Sequence, residues 1–237
     1  MLGVWDYTVI LTYASLVSAM SGVLITLNEH GHPYIGMFCL LICGLCDTFD
    51  GRVARRKKNR TNLEKNFGVQ IDSLSDLVAF GVLPACIGMA LYKSDNYLLQ
   101  KEESALISLP VWFVFIVCAF FALMALVRLA YFNVTVEETQ GQNVEEKYYY
   151  GLPVTSSALV FPTILIVNYC TKYNISFLYV VGLIAVGVLY VCKFKLKKPS
   201  SAIIYSMLGV GLIEFIVLIF MKVMEMNIIE NIGNVVK

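Results

Sequence analysis

Four aspartates, Asp47, Asp50, Asp72 and Asp76, interrupt two stretches that are otherwise apolar enough for a bilayer, and those apolar runs supply no cation to pair with them. An unpaired carboxylate at the centre of a membrane helix costs about 2.5 to 3.5 kcal/mol on insertion scales, so four together need a specific offset. A divalent cation provides one. Asp47 and Asp50 are three residues apart and Asp72 and Asp76 four, so each pair projects from one face of its helix. Two such helices facing each other offer four carboxylates to one volume. Small residues share the stripes, Gly44, Gly51 and Ala54 beside Asp47, and Gly68, Ser75 and Ala79 beside Asp72 and Asp76, leaving room for a ligand. Oxygen-only ligands suit Mg²⁺ or Mn²⁺, which are commonly held by a few carboxylates together with substrate phosphates. Two such ions can clamp the attacking and leaving oxygens of an in-line displacement, and a carboxylate left partly free can accept a proton.

The elements that must position these groups are membrane helices. The chain has 237 residues, of which 58% are hydrophobic and only 15% charged, with a mean hydropathy of +0.72. An ordinary soluble domain carries about 25% charged residues, so a soluble globular protein is excluded. Uncharged runs that reach or approach the ~20 residues needed to cross a bilayer predict seven spans. They are Tyr7 to Leu27, Pro33 to Cys46 with the first aspartate turn, Leu77 to Tyr92 after the second, Ser104 to Val127, Leu152 to Thr171, Tyr173 to Cys192, and Pro199 past Glu214 to Met221. The reading is an all-α, polytopic membrane helix bundle forming a single domain, residues 1–237. The first run is longer than the ~7 to 15 residues of a signal-peptide core, has no basic residue ahead of it, and is read as a retained helix.

Placing the loop after the second span in the cytoplasm puts twelve Lys and Arg residues inside and five outside, which predicts a cytoplasmic amino terminus. Asp47 is 14 residues on from Pro33, so the first pair sits near the inner edge of the hydrocarbon, open to the cytosol. Seven cysteines all fall within or at the edge of apolar runs and read as small hydrophobes; the Cys43-x-x-Cys46 pair has no second pair to complete a zinc or redox site. His30 and His32 lie on the outer side, away from the aspartates. Small pairs such as Ser18 with Gly22 and Gly209 with Gly211 read as helix contacts, Glu214 as an interhelix contact without a visible partner, and Val134 to Tyr150 as a solvated loop over the site.

Taken together, Asp47-x-x-Asp50-Gly51-x-x-Ala54-Arg55 and, 12 residues later, Gly68-x-x-x-Asp72-x-x-x-Asp76 resemble the signature of the CDP-alcohol phosphotransferases. The resemblance implies a membrane enzyme with a six-helix core, here with at least one helix more, that moves a phosphatidyl or related group from a CDP-linked donor to an alcohol and releases CMP. It further implies two divalent ions on Asp47, Asp50, Asp72 and Asp76, with Asp76 also the general base. Gly51, Ala54, Arg55 and Gly68 would hold the CDP, and the enzyme would be a homodimer. Asp72-Ser73-Leu74-Ser75-Asp76-Leu77-Val78-x-Phe80-Gly81-Val82-x-Pro84, with Arg128-Leu129-x-x-Phe132-Asn133 and Gly151-Leu152-Pro153, resembles the phosphatidylserine synthase branch; Val154-Thr155 stands where a second proline is expected nearby. That branch implies CDP-diacylglycerol, or an ether-linked CDP-archaeol, and L-serine as substrates, with membrane lipids and no nucleic acid as partners, and a site on the cytoplasmic face of the cell membrane.

Arg128 ends an uncharged run and should face the bundle interior. It can anchor a serine carboxylate, grip donor phosphate, or snorkel to the inner edge without touching substrate. Asn133 is read as an acceptor contact or as the end cap of the fourth helix. Rival readings are another acceptor, such as glycerol phosphate, inositol phosphate or choline, a divalent-cation transporter, and a non-catalytic scaffold. A transporter needs a polar path outward past Asp47, and the residues from Pro33 to Cys46 are almost wholly apolar.

Overall fold

The computed structural model describes residues 3–28, 32–99, 109–140, 148–171, 175–197 and 201–235. Hydropathy dictates helices, because in hydrocarbon every backbone N–H and C=O must be satisfied within the segment. Helix α1 covers Ile10–Leu27 and α2 Pro33–Arg56, which opens on a proline in its first turn and closes on Arg55 and Arg56 beside its carbonyl end. Helix α3, Asn62–Asp76, starts at a capping box in which Thr61 and Glu64 satisfy each other's backbone N–H. It runs without a break through a π-helical turn, Leu77–Val82, into α4, Leu83–Leu99. Helix α5 is Val111–Gln140. Strand β1, Tyr148–Tyr150, and a 3₁₀ turn, Val154–Ser156, lead to α6, Ser157–Thr171; α7, Ile175–Val191, is followed by strand β2, Lys195–Lys197, and then α8, Ser201–Val235.

Five of these segments are long and apolar enough to span a membrane: Ile10–Leu27, Pro33–Arg56, Asn62–Lys93, Val111–Thr135 and Ala202–Met221. Val154–Val167 and Ile175–Val191 are shorter apolar helices, so the seven expected spans each have a helical counterpart in a polytopic all-α bundle.

The core lies where α4, α5, α6 and α7 meet. Phe121 stacks edge-on to Phe161 at 5.5 Å and lies 5.5 Å from Tyr190, while Phe161 lies 4.8 Å from Tyr179. Such ring pairs contribute about 0.5 to 1.5 kcal/mol each beyond area burial. Both buried tyrosines find backbone acceptors, Tyr179 at Pro84 O (3.1 Å) and Tyr190 at Val154 O (3.0 Å). Among the small pairs read as helix contacts, a Cβ at Gly22 would stand 2.8 Å from that of Cys39, and one at Gly211 would stand 3.4 Å from Leu159. Gly209 faces open space and is no contact point.

The structure corrects the sequence reading at several elements. Helix α5 continues to Gln140, so the start of the expected polar loop is helical and Asn133 is not an end cap. Strands β1 and β2 pair antiparallel, Tyr150 opposite Lys195, tying the α5–α6 connection to the α7–α8 connection. The π-turn at Leu77–Val82 is an addition to the expected helix, and α8 runs past Met221 to Val235. Residues 104–108, the first part of the expected fourth span, and His30 fall outside the described residues.

Candidate active site

The short connection between α2 and α3 brings the two aspartate pairs to one end of the bundle, the end that carries the basic loop. Carboxylate oxygens of Asp47, Asp50 and Asp72 lie within 4.8 Å of one another. Asp76, 8% exposed, stands one turn along α3 and outside that group of three, immediately before the π-turn. At an effective dielectric of ~20, two carboxylates at this separation repel by about 3 kcal/mol. Among the described residues no lysine or arginine pairs with any of the four. The donor set therefore fits a hard divalent cation: oxygen ligands only, converging from two helices, with no cationic side chain among the described residues to offset their mutual repulsion.

Helix α1 packs along both carriers and supplies the spacer between them. Thr12, 5% exposed, donates through Oγ1 to Asp50 Oδ2 at a long 3.5 Å, and its carbonyl accepts from Ser75 Oγ at 3.2 Å. One residue thus touches the aspartate faces of α2 and α3. Sequence reasoning missed Thr12, because a single threonine in an apolar run has no distinguishing pattern. On the far side of α3, Asn133 Nδ2 donates to Ser73 Oγ at 2.9 Å, so Asn133 fixes the rotation of the helix that bears Asp72 and Asp76.

The residues expected around the nucleotide take less uniform positions. Arg55 lies over Gly51, its guanidinium 3.6 to 3.8 Å from where a Cβ would be. Gly68 is covered by Arg60, 2.7 Å from the same built position, and Arg60 also donates to Glu64 O at 3.1 Å. Sequence marks Arg60 only as part of the basic loop; its place over Gly68 comes from the α2–α3 connection folding back. Ala54 is half-buried on α2. Gly44, grouped with the ligand-admitting residues, instead forms a helix crossing, since a Cβ there would be 2.8 Å from that of Ala158.

The connection itself is held by Lys57, whose Nζ lies 2.5 Å from Asp6 Oδ2 and 2.8 Å from Glu64 Oε1. The hydrogen bond from Lys57 holds the Asp6 carboxyl below its ordinary value, and the Lys57 ammonium is correspondingly raised.

Arg128 is buried, 7% exposed, on α5. Its Nε donates to Leu152 O at 3.2 Å, and its guanidinium carbon lies 5.1 Å from the centre of the Phe132 ring. A snorkelling arginine would be exposed; this one faces inward. Elsewhere, Thr163 donates to Glu214 Oε1, the partner on α6 that sequence did not show. Cys43 donates to Ser15 O at 3.3 Å as a buried thiol. His32, exposed ahead of α2, sits at the opposite end of that helix from Asp47 and Asp50.

Comparison with known proteins gives this geometry a context. Over 177 residues the chain is 34% identical to the CDP-diacylglycerol–serine O-phosphatidyltransferase of Saccharomyces cerevisiae, covering 73% of this chain and 55% of that protein. It is 29% identical over 195 residues to the protein of the same name from Methanocaldococcus jannaschii, covering 81% and 76%. To the archaetidylserine synthase of Methanothermobacter thermautotrophicus it is 28% identical over 188 residues, covering 79% and 69%. The chain thus spans little more than half of the yeast relative's length and about three quarters of the first archaeal one. Residues 7–192, from just ahead of α1 to the end of α7, match the family described as CDP-alcohol phosphatidyltransferase, and α8 falls outside the match. With its apolar helices and its converging aspartates, the chain is an integral membrane protein that belongs to the CDP-alcohol phosphatidyltransferase family.

Proposed function

We propose that this protein transfers the phosphatidyl group of CDP-diacylglycerol, or the corresponding group of an ether-linked CDP-archaeol, to the hydroxyl of L-serine. The observation that carries the reading is the convergence of Asp47, Asp50 and Asp72 within 4.8 Å, on the motif of a family whose similar members are named for serine transfer.

When bound, two Mg²⁺ or Mn²⁺ ions would neutralise the donor diphosphate and polarise the reacting phosphorus. Asp47, Asp50 and Asp72 would hold them, with Asp76 contributing a further oxygen. Gly51, Ala54 and Gly68 keep their own side-chain bulk off the helix faces where the cytidine approaches, and Arg55 over Gly51 and Arg60 over Gly68 add positive charge beside the diphosphate. Asp76 takes the proton from the serine hydroxyl through a carboxylate oxygen as that hydroxyl oxygen bonds to the phosphorus bearing the lipid. The phosphorus–oxygen bond to CMP breaks, and CMP leaves with the bonding electrons. Arg128 receives the serine carboxylate, and Asn133 keeps α3 turned so that Asp72 and Asp76 face the reaction.

The protein resides in the cell membrane, and the basic end, with the active site, faces the cytoplasm; the excess of Lys and Arg at that end supports the orientation. Residues 1–237 act as one domain, and the working unit is a homodimer. The test is to incubate the purified protein with CDP-diacylglycerol, Mn²⁺ or Mg²⁺, and serine, glycerol phosphate or inositol phosphate in parallel. CMP release with serine is the expected result; release only with a phosphorylated acceptor would overturn the choice of alcohol.

A further inference from the structure

The segment Gly151–Val154 is fastened to α7 and its exit at several points. Gly151 N donates to Phe194 O at 3.0 Å and Leu152 N to Leu189 O at 3.1 Å. Gly151 has φ +74, and a Cβ there would lie 2.7 Å from the Tyr190 carbonyl oxygen, so only glycine fits without a shift. The Tyr190 hydroxyl donates to Val154 O at 3.0 Å. Tyr190 is 1% exposed, and its ring is held by Phe121, so the packing of the ring sets where the hydroxyl points.

On its other side, the same segment presents Leu152 O to Arg128 Nε. That bond holds the guanidinium from one edge, and Phe132 lies against it. The residue that Tyr190 holds and the carbonyl that Arg128 holds are thus only two positions apart in the chain. A carboxylate is recognised by a planar two-pronged donor, so a tilt of that plane costs more binding than the same displacement of a point charge.

We propose that Tyr190 is a positioning residue for the acceptor: by clamping Gly151–Val154 it sets the Leu152 carbonyl that aims Arg128 at the carboxylate of the amino-acid acceptor. This rests on the reading of Arg128 as the carboxylate anchor, and the experiment separates the two. CMP release by the full-length protein gives KM for L-serine and for CDP-diacylglycerol in Tyr190→Phe, Arg128→Gln and the double variant. Tyr190→Phe keeps the ring and removes the bond to Val154 O, so the serine KM should rise about three- to tenfold. The donor KM and kcat should stay within about twofold, and the hydroxyl loss should add nothing to Arg128→Gln, as for two groups acting through one contact.

An unchanged serine KM in Tyr190→Phe, equal rises in both KM values, or independent effects in the double variant would overturn the proposal while leaving the Arg128 reading intact. An unchanged serine KM in Arg128→Gln would remove the Arg128 reading and the proposal with it. Gly151→Ala, which displaces the same segment by crowding the Tyr190 carbonyl while keeping the tyrosine hydroxyl, should show the same selective rise and serves if Tyr190→Phe does not fold. A Gly151→Ala enzyme with normal serine KM contradicts the proposal equally.

Discussion

Asp76 and Asp50 have different surroundings, and so different expected losses. Asp76 stands apart from the group of three and next to the π-turn. In its proposed role as proton acceptor it would contribute about 10² to 10⁴ in rate, so Asp76→Asn should abolish measurable CMP release while CDP-diacylglycerol still binds. Near-normal turnover of that variant would contradict the assignment. Thr12 touches Asp50 by a long hydrogen bond and Ser75 through its carbonyl. Thr12→Val removes only the first contact, and at about 1 kcal/mol for one such bond the Mn²⁺ concentration giving half-maximal rate should rise about fivefold. Titration of activity against Mn²⁺ measures it, and an unshifted midpoint would show that Thr12 only fills space.

At the scale of elements, the spans and the aspartate spacing were legible because they are periodic, local signals. Long apolar runs cannot be anything but helices in hydrocarbon, and offsets of three and four put side chains on one face. Features made by contact between distant segments were not legible. Strands β1 and β2 have three residues each and some forty residues between them, and neither has alternation long enough to see. The π-turn carries no sequence mark; its effect is to rotate α4 relative to α3, so that the aspartate face and the core face of one continuous span need not coincide. Gly81 allows this turn to lie against α5, its built Cβ 3.0 Å from that of Ala125. Gly81→Val should destabilise the protein by about 1 to 3 kcal/mol and lower activity with it, read as thermal stability in detergent. The bridge from Lys57 to Asp6 has a definite sign with pH. Because Asp6 is held below its ordinary value, the bridge favours the fold fully above that ordinary value and is lost as pH falls from there through the lowered one. Proteolysis ahead of α1 should accelerate in acid in the parent protein and already be fast at neutral pH in Lys57→Met.

The whole molecule is a bundle whose polar chemistry is gathered at one end. The aspartates, Arg128, the β1–β2 ribbon and the basic connection all lie there, and Arg52 reaches from α2 to within 3.4 Å of the Tyr205 hydroxyl on α8, the helix outside the family match. Orientation can be read from Cys192, which is exposed at that end. A membrane-impermeant thiol reagent should leave it unlabelled in intact cells and label it in inverted vesicles; labelling from outside would reverse the topology. The central claim, that α2 and α3 together chelate paired divalent ions around a donor diphosphate, is tested most directly by counting Mn²⁺ bound per chain with CDP-diacylglycerol present, from the loss of the free-ion electron paramagnetic resonance signal. The account expects two ions per chain in the parent protein and at most one in Asp50→Asn. Undiminished binding after Asp47, Asp50 and Asp72 are all changed to asparagine would contradict it.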